Sequence, residues 1–207
     1  PVTNTMLEVA TSSNLWVNLF IMVLCAPVAE ELIFRKLLID RLAQYGEGVA
    51  VLFSGLMFGL FHGNLNQFVY AFVLGLCFGF IYVKTGNIRY TIGLHMLVNF
   101  LGSVLGVAIL KWLGDDFLSI ASDPAGMMSY MTGNFGKLIV YFIYIFLLLG
   151  VAIAGIILFI VNLKKIRFLP GMNTLPKGKR FSTTVLNVGM ALYMIVWIVI
   201  IIVQLLQ

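Results

Sequence analysis

Residues 25–40 read CAPVAEELIFRKLLID and follow the apolar run NLFIMVL at residues 18–24. Two adjacent carboxylates, Glu30 and Glu31, and the guanidinium of Arg35 therefore lie inside a hydrophobic stretch. An ionisable side chain in the hydrocarbon of a membrane costs several kcal/mol unless it is paired or hydrated, so such residues are candidates for function. We therefore predict that this stretch is a membrane helix with functional carboxylates.

Composition places the whole chain in a membrane. Of its 207 residues, 61% are hydrophobic and 10% are charged, and the mean hydropathy is +1.06; these values exclude an ordinary soluble domain. Since a spanning helix needs about 20 apolar residues, we predict spans at roughly 14–42, 47–62, 66–84, 88–112, 135–165 and 182–206. The predicted fold class is all-α: a polytopic transmembrane bundle of about six helices, with one domain over residues 1–207. Because the chain begins at Pro1, we expect a processed or truncated form.

The predicted spans differ in length, and two long connections separate the last of them. The second span has a short apolar core, Val49 to Phe61, which suits a half-span or a buried helix as well as a full span. The segment LGDDFLSIASDPAGMMSYMTGN, between Trp112 and Phe135, is predicted to be a loop. The segment KKIRFLPGMNTLPKGKR, residues 164–180, is predicted to be a second, basic loop.

Small residues in the apolar runs are assigned to packing. Glycines recur at four-residue spacing, which lets helix backbones approach closely in lipid; they are Gly55, Gly59, Gly63, Gly75, Gly79, Gly102 and Gly106. The two cysteines, Cys25 and Cys77, are expected to act as small buried hydrophobic residues and not as a disulfide.

Charged residues indicate the orientation, because cytoplasmic loops attract Lys and Arg. Alternation through six helices places these basic residues on one side: Lys36, Arg41, Lys84, Arg89, Lys164, Lys165, Arg167, Lys177, Lys179 and Arg180. The opposite side receives Asp115, Asp116 and Asp123. We expect the basic side to be cytoplasmic and to contact anionic lipid, so the net charge of +5 needs no nucleic-acid partner. Compact size and the absence of targeting signals favour a prokaryotic plasma membrane.

The chain has two histidines, and both lie in apolar runs. His62 ends the sequence FGLFH, and His95 begins the sequence HMLVN, which Asn99 ends. A helix turns about 100° per residue, so His95 and Asn99 project from the same face. These side chains are candidates for one polar site.

The same spacing lets Glu31 pair with Arg35, which leaves Glu30 displaced by one residue. Taken singly, Glu31 and Arg35 could be only a buried ion pair. The histidines could be only interhelical hydrogen-bond donors, and Asn99 could be only a packing contact. Taken together, a spare carboxylate, two imidazoles and an amide can activate water and stabilise an oxyanion. We therefore predict one catalytic site, in a polar cavity that opens towards the cytoplasm.

Three motifs occur in order on successive helices: E-E-x-x-x-R in EELIFR, F-x-x-x-H in FGLFH and H-x-x-x-N in HMLVN. With these motifs the chain resembles the CAAX protease and bacteriocin-processing family of intramembrane endopeptidases, the Abi family, which includes type II CAAX prenyl endopeptidases. The resemblance covers a motif core of residues 25–100. Each motif is weak alone, but their order and spacing together are specific.

The resemblance implies hydrolysis of a peptide bond without a cofactor. On the matching positions, Glu30 with His62 would activate a water molecule, and His95 with Asn99 would stabilise the tetrahedral oxyanion. A neutral imidazole and a side-chain amide are suitable donors for that oxyanion.

The resemblance further implies that Glu31 and Arg35 orient the site. A zinc site formed by Glu30, His62 and His95 is the alternative, since these residue types also bind zinc. We prefer the metal-free interpretation, because the H-E-x-x-H spacing of helical zinc proteases is absent and asparagine is a poor zinc ligand.

Two functions without proteolysis remain open. A membrane scaffold or bacteriocin-immunity protein could use the same fold without turnover, although the complete set of polar residues disfavours it. A transporter with a proton relay is disfavoured because no inverted repeat is evident. For an endopeptidase, the partners would be the lipid bilayer and a peptide or protein substrate, with membrane-associated and lipidated substrates included.

Overall fold

The structure is a computed structural model that describes residues 5–114, 117–173, 178, 179, 183 and 187–206. In these residues the fold is an all-α membrane bundle without a strand. Its helices are α1 (Thr5–Ser12), α2 (Leu15–Tyr45), α3 (Glu47–Phe61), α4 (Leu65–Thr85), α5 (Ile88–Leu113), α6 (Phe117–Ile120), α7 (Pro124–Lys165) and α8 (Val188–Leu205). The prediction of a polytopic helical membrane protein is confirmed.

Helix α3 is too short to span the membrane alone. Its 15 residues extend about 22 Å, against about 30 Å of hydrocarbon, whereas α2, α4, α5, α7 and α8 are long and apolar enough to span. Phe58 and eight other residues of α3 are buried between its neighbours, and the hydroxyl of Tyr193 on α8 donates to the carbonyl of Met57, at 2.9 Å. The predicted second span is therefore a buried helix.

Helices α3 and α4 form a hairpin whose backbones touch. A Cβ added at Gly75 would lie 2.8 Å from the Cα of Gly55, and one at Gly59 would lie 3.0 Å from the Cβ of Phe72. Glycine is therefore required for this approach. The packing prediction fails at Gly102, where an added Cβ would meet nothing within 4 Å.

Three stretches of the spanning helices are wound as π-helix: Asn18–Cys25 and Leu32–Ile39 in α2, and Phe100–Gly106 in α5. They flank the α-helical turns Ala26–Glu31 and Ile88–Asn99, which carry the carboxylates and His95. π-Helical turns are rare and occur frequently at functional sites, because the wider winding re-aims side chains.

The predicted loop between Trp112 and Phe135 is wrong. Helix α7 already begins at Pro124, where the Asp123 side chain accepts hydrogen bonds from the first main-chain N–H groups, and α6 precedes it. The predicted start of the fifth span instead coincides with a kink at Asn134, whose backbone is not helical. Capping by aspartate and proline at the first turn outweighs the polar composition that suggested a loop.

The turns of one end of the bundle are joined by residues 168–173, which we call the clip. Glu47, at the start of α3, accepts hydrogen bonds from Lys84 and from the main-chain N–H of Leu169, the latter at 2.9 Å. A Cβ at Gly171 would overlap the main chain of Gln44. The clip thus joins the basic loop to the ends of α2, α3 and α4.

Basic residues predicted to share one side of the membrane can be located at the end of the bundle that carries the clip. Lys36 of α2 and Lys84 of α4 lie at the end that carries the clip. Asp115, Asp116, Lys177 and Arg180 lie outside the described residues. The side of the membrane that this end faces stays a prediction.

The expectation of buried cysteines is wrong, because Cys25 and Cys77 are both free thiols on the exterior of the helix bundle. Their surroundings are apolar because the exterior of a membrane protein faces lipid. An apolar run in sequence does not separate the protein core from the lipid face.

Candidate active site

A fully buried ion pair fixes the first motif. On α2, the Nε of Arg35 lies 3.0 Å from the Oε2 of Glu31, and both side chains are 0% exposed. The Nη1 of Arg35 also donates to the hydroxyl of Ser54 on α3, at 3.1 Å, and that hydroxyl donates to the carbonyl of Phe34, at 2.8 Å. The predicted pairing is present, and through Ser54 it joins α2 to α3.

His95 is held between the two carboxylates. Its Nδ1–H donates to the Oε1 of Glu31, at 3.0 Å, and its Nε2 lies 3.7 Å from the Oε2 of Glu30. Both ring nitrogens therefore face a carboxylate. The structure thus brings α5 onto the polar turn of α2.

His62 is oriented by its own helix. Its Nδ1–H donates to the carbonyl of Phe58, at 2.8 Å, so the neutral ring carries its lone pair on Nε2. The centroid of the Phe58 ring lies 4.9 Å from that of His62 and 5.5 Å from that of His95. The guanidinium carbon of Arg35 lies 4.7 Å from the same Phe58 centroid. Phe58 therefore packs between the two histidines and the buried cation.

Asn99 connects two helices through hydrogen bonds. Its Nδ2 donates to the main-chain carbonyl of Met22 on α2, at 2.7 Å, and its own carbonyl accepts from Ser103, at 2.6 Å. Asn99 follows His95 by one helical turn, but its amide is bonded to α2. In the structure this residue joins α2 to α5.

Four buried polar atoms of the cluster make no hydrogen bond in the described part of the chain. The Oε2 of Glu31 and the Nε of Arg35 still form an ion pair with each other, whereas the Oε2 of Glu30 and the Nη2 of Arg35 have no partner that close. Glu30 is 16% exposed, whereas Glu31 and Arg35 are fully buried. Buried polar atoms are expected to be hydrogen-bonded, so Glu30 offers a free acceptor to water or substrate.

The three residues of the zinc alternative do not form a ligand set. In the portions of the chain that the structure describes, no three His, Cys, Asp or Glu side chains gather as a metal site would require. The Nδ1 of His95 is bonded to Glu31, and that of His62 to a main-chain carbonyl. These bonds leave the Nε2 of each ring available, as in histidines that bind zinc, so the choice between the zinc and the metal-free interpretation stays a prediction.

A recess of about 260 Å³ lies at the end that carries the clip, where Lys36, Asp40, Glu47 and Tyr82 contribute to its lining. The opening of a polar cavity onto Glu30 stays a prediction.

Sequence reasoning missed Ser54 and gave no role to Phe58. Both lie on the buried face of α3, at four-residue steps that end at His62. That spacing placed them on one helix face with the histidine, but it gave no sign that Ser54 bonds a cation on another helix.

The chain is similar to known proteins over the part that carries the three motifs. The family model described as Type II CAAX prenyl endopeptidase Rce1-like matches residues 12–101, which contain all three motifs. A Bacillus subtilis (strain 168) protein described as "Putative membrane peptidase YdiL" is 32% identical over 74 residues. That alignment covers 35% of this chain and 30% of the relative's length. No solved structure matches the chain.

Proposed function

We propose that this chain, whose residues 12–101 match the family model of Rce1-like type II CAAX prenyl endopeptidases, is an intramembrane endopeptidase that hydrolyses a peptide bond with water activated by glutamate. The observation that carries the proposal is the Oε2 of Glu30, which lies beside His95 without a hydrogen-bond partner in the described residues. A carboxylate oxygen that is desolvated, oriented and free is what a general base requires.

The proposed reaction begins at Glu30. Its carboxylate takes a proton from a water molecule while the water oxygen attacks the scissile carbonyl carbon, and the carbonyl electrons move to the oxygen. Glu30 then passes the proton to the amide nitrogen as the C–N bond breaks, which leaves a carboxylic acid and an amine. His62 supports the first step, because the lone pair on its Nε2 can accept a hydrogen bond from the same water.

His95 is proposed as the main donor to the tetrahedral oxyanion. Glu31 holds it through Nδ1, and its Nε2 is on the side of Glu30. Donation from Nε2 requires hydrogen on both ring nitrogens, because Nδ1 already donates to Glu31.

Glu31 and Arg35 are proposed as positioning residues. Both are fully buried, so they act through His95 and through Ser54. Asn99 is proposed to aid oxyanion binding with the second hydrogen of its amide, because its hydrogen bond to Met22 uses one of the two. The reaction as proposed uses no cofactor.

Substrate and location form the remaining part of the proposal. We place the chain in a prokaryotic plasma membrane, with the end that carries the clip in the cytoplasm. Its substrate is a peptide or protein segment that reaches the membrane interior, and lipidated peptides are included.

The test compares membrane peptides from cells that make the wild-type chain with those from cells that make Glu30→Gln. New peptide termini, identified by mass spectrometry, should appear only with the wild type. His62→Ala and His95→Ala should behave like Glu30→Gln, whereas Glu8→Gln, on α1, is the matched control and should behave like the wild type.

All variants should extract as folded, monodisperse protein, because the changes remove chemistry without opening the packed helices. Full cleavage by purified Glu30→Gln would refute the mechanism. A partner that co-purifies equally with wild type and Glu30→Gln, with no change in termini, would favour a scaffold instead.

A further inference from the structure

Tyr70 lies beside the proposed catalytic groups but belongs to none of the three motifs. It is on α4, where its ring centroid lies 6.4 Å from that of His62, with the rings inclined at 64°. The carboxylate of Glu30 also interacts electrostatically with this phenol. Tyr70 thus approaches the proposed water-activating pair from α4, whereas Glu30 is on α2.

The hydroxyl of Tyr70 makes no hydrogen bond within the described residues, although the side chain is on a spanning helix. Three other tyrosines of the spanning helices, which are more buried, donate to a protein acceptor: Tyr82 to Asp40 at 2.7 Å, Tyr144 to the Leu101 carbonyl at 2.7 Å and Tyr193 to the Met57 carbonyl at 2.9 Å. A phenol in apolar surroundings is expected to bond its hydroxyl. Tyr70 therefore has a free donor on the side of the site.

The oxyanion also needs a donor that the motifs do not fully supply. Asn99 already donates to the Met22 carbonyl, and His95 is bonded to Glu31 through one nitrogen. A neutral phenol can donate at neutral pH without a change in its charge. The Tyr70 side chain is half exposed, at 51%, so a substrate can reach its hydroxyl.

We propose that Tyr70 is a further catalytic residue, whose hydroxyl donates a hydrogen bond to the scissile carbonyl oxygen as that oxygen becomes negatively charged. The inference rests on the endopeptidase function proposed above. It assigns to α4 a part in the reaction, so that the oxyanion is bound by donors from α4 and α5 while the water is activated from α2 and α3.

A different role for Tyr70 is as an aromatic residue at the membrane interface. It is the sixth residue of α4, which places it about 8 Å from the helix start, a depth compatible with an aromatic belt. An aromatic residue at the interface would keep its role without the hydroxyl, so turnover would be unchanged. An oxyanion donor would lose its role, so turnover would fall.

The experiment uses a synthetic peptide that spans the cleavage site identified from the wild-type membranes, with purified protein in detergent. Tyr70→Phe should lower kcat about 10- to 1,000-fold, the range for loss of an oxyanion donor, with KM within about twofold. Tyr90→Phe, an exposed tyrosine of α5, is the matched control and should turn over like the wild type. A Tyr70→Phe protein with wild-type kcat would overturn the inference.

Replacement of Tyr70 by difluorotyrosine keeps the ring and strengthens the donor. It should change kcat if the hydroxyl bonds the oxyanion, and an unchanged kcat would count against that role even if Tyr70→Phe folds poorly. Glu30→Gln, measured in parallel, separates the two proposals. An inactive Glu30→Gln with a fully active Tyr70→Phe removes only the Tyr70 inference, whereas an active Glu30→Gln removes the endopeptidase and the inference together.

Discussion

The side-chain amide of Asn99 donates to the main-chain carbonyl of Met22, at 2.7 Å, and so joins α5 to α2. The carbonyl lies in the π-helical stretch Asn18–Cys25, directly before the turn that carries the carboxylates. Asn99 therefore stabilises the contact between the helix that carries the carboxylates and the helix that carries His95, whatever its part in the chemistry.

Asn99→Ala should lower the stability of the folded protein as well as its activity. The change leaves the Met22 carbonyl without its donor at a partly buried position, which costs about 1 to 3 kcal/mol. Thermal unfolding in detergent measures the effect. The matched control is Asn162→Ala, because Asn162 bonds the Leu158 carbonyl of its own helix at an exposed site. An Asn99→Ala protein as stable as Asn162→Ala but inactive would show that only the chemical role matters.

Arg35→Ala should unfold at a markedly lower temperature than the wild type. It leaves Glu31 as a fully buried carboxylate without its guanidinium partner, a change that costs about 3 to 5 kcal/mol. Arg41→Ala, which removes an exposed cation, is the control and should have little effect. If the loss arises from the stranded charge, adding Glu31→Gln should recover part of it. An Arg35→Ala protein with wild-type heat stability would contradict the pairing.

Gly75→Ala should disrupt the α3–α4 hairpin. The added Cβ would lie 2.8 Å from the Cα of Gly55, and because that neighbour is backbone the helices must separate, at a cost of about 1 to 3 kcal/mol or more. Gly93→Ala, where an added Cβ meets nothing within 4 Å, serves as the control and should be neutral or slightly stabilising. Equal stability of the two variants would show that the hairpin is looser than described.

Single cysteines beside Glu30 and His95, introduced as Ala29→Cys and Met96→Cys, test the predicted cavity. Cys25 and Cys77 must be replaced first, since both are free and exposed. A membrane-impermeant thiol reagent should label the new cysteines from the basic side, because peptide hydrolysis requires water at the site. Labelling only from the opposite side would refute the cytoplasmic opening, and the absence of labelling from both sides would argue against a hydrated site.

The control for access is Phe159→Cys, on an exposed and apolar part of α7. It should resist the reagent from both sides, because lipid surrounds it. Reaction at this position as fast as at Met96→Cys would show that the reagent reaches the hydrocarbon, and the comparison would then have to be repeated with a more polar reagent.

Much of the site was predictable because helix periodicity is regular. The four-residue step correctly paired Glu31 with Arg35, and the doubtful length of the second span pointed to a buried α3. The step could not predict that His95 would lie between Glu30 and Glu31, since helix periodicity says nothing about which faces of different helices meet. It also could not distinguish the lipid face from the core, which is why Cys25 was placed wrongly.

The connection before α7 was the main failure of prediction. Small and polar residues suggested a loop, but Asp123 accepts from the main chain at the start of the helix and Asn134 only kinks it. A local capping interaction therefore decided the structure over the average composition of the segment. The sequence pattern that starts a helix, aspartate followed by proline, was present and could have been used.

The clip has a consequence for the order in which the protein is made. Leu169 and Glu47, which it joins, are 122 residues apart, and all three motifs leave the ribosome before the clip is synthesised. Helices α2 to α5 therefore enter the membrane with the Glu47 carboxylate still lacking its Leu169 partner. We therefore expect two stages in biogenesis: the motif helices assemble first, and the contact of Gly171 with Gln44 then fixes their ends.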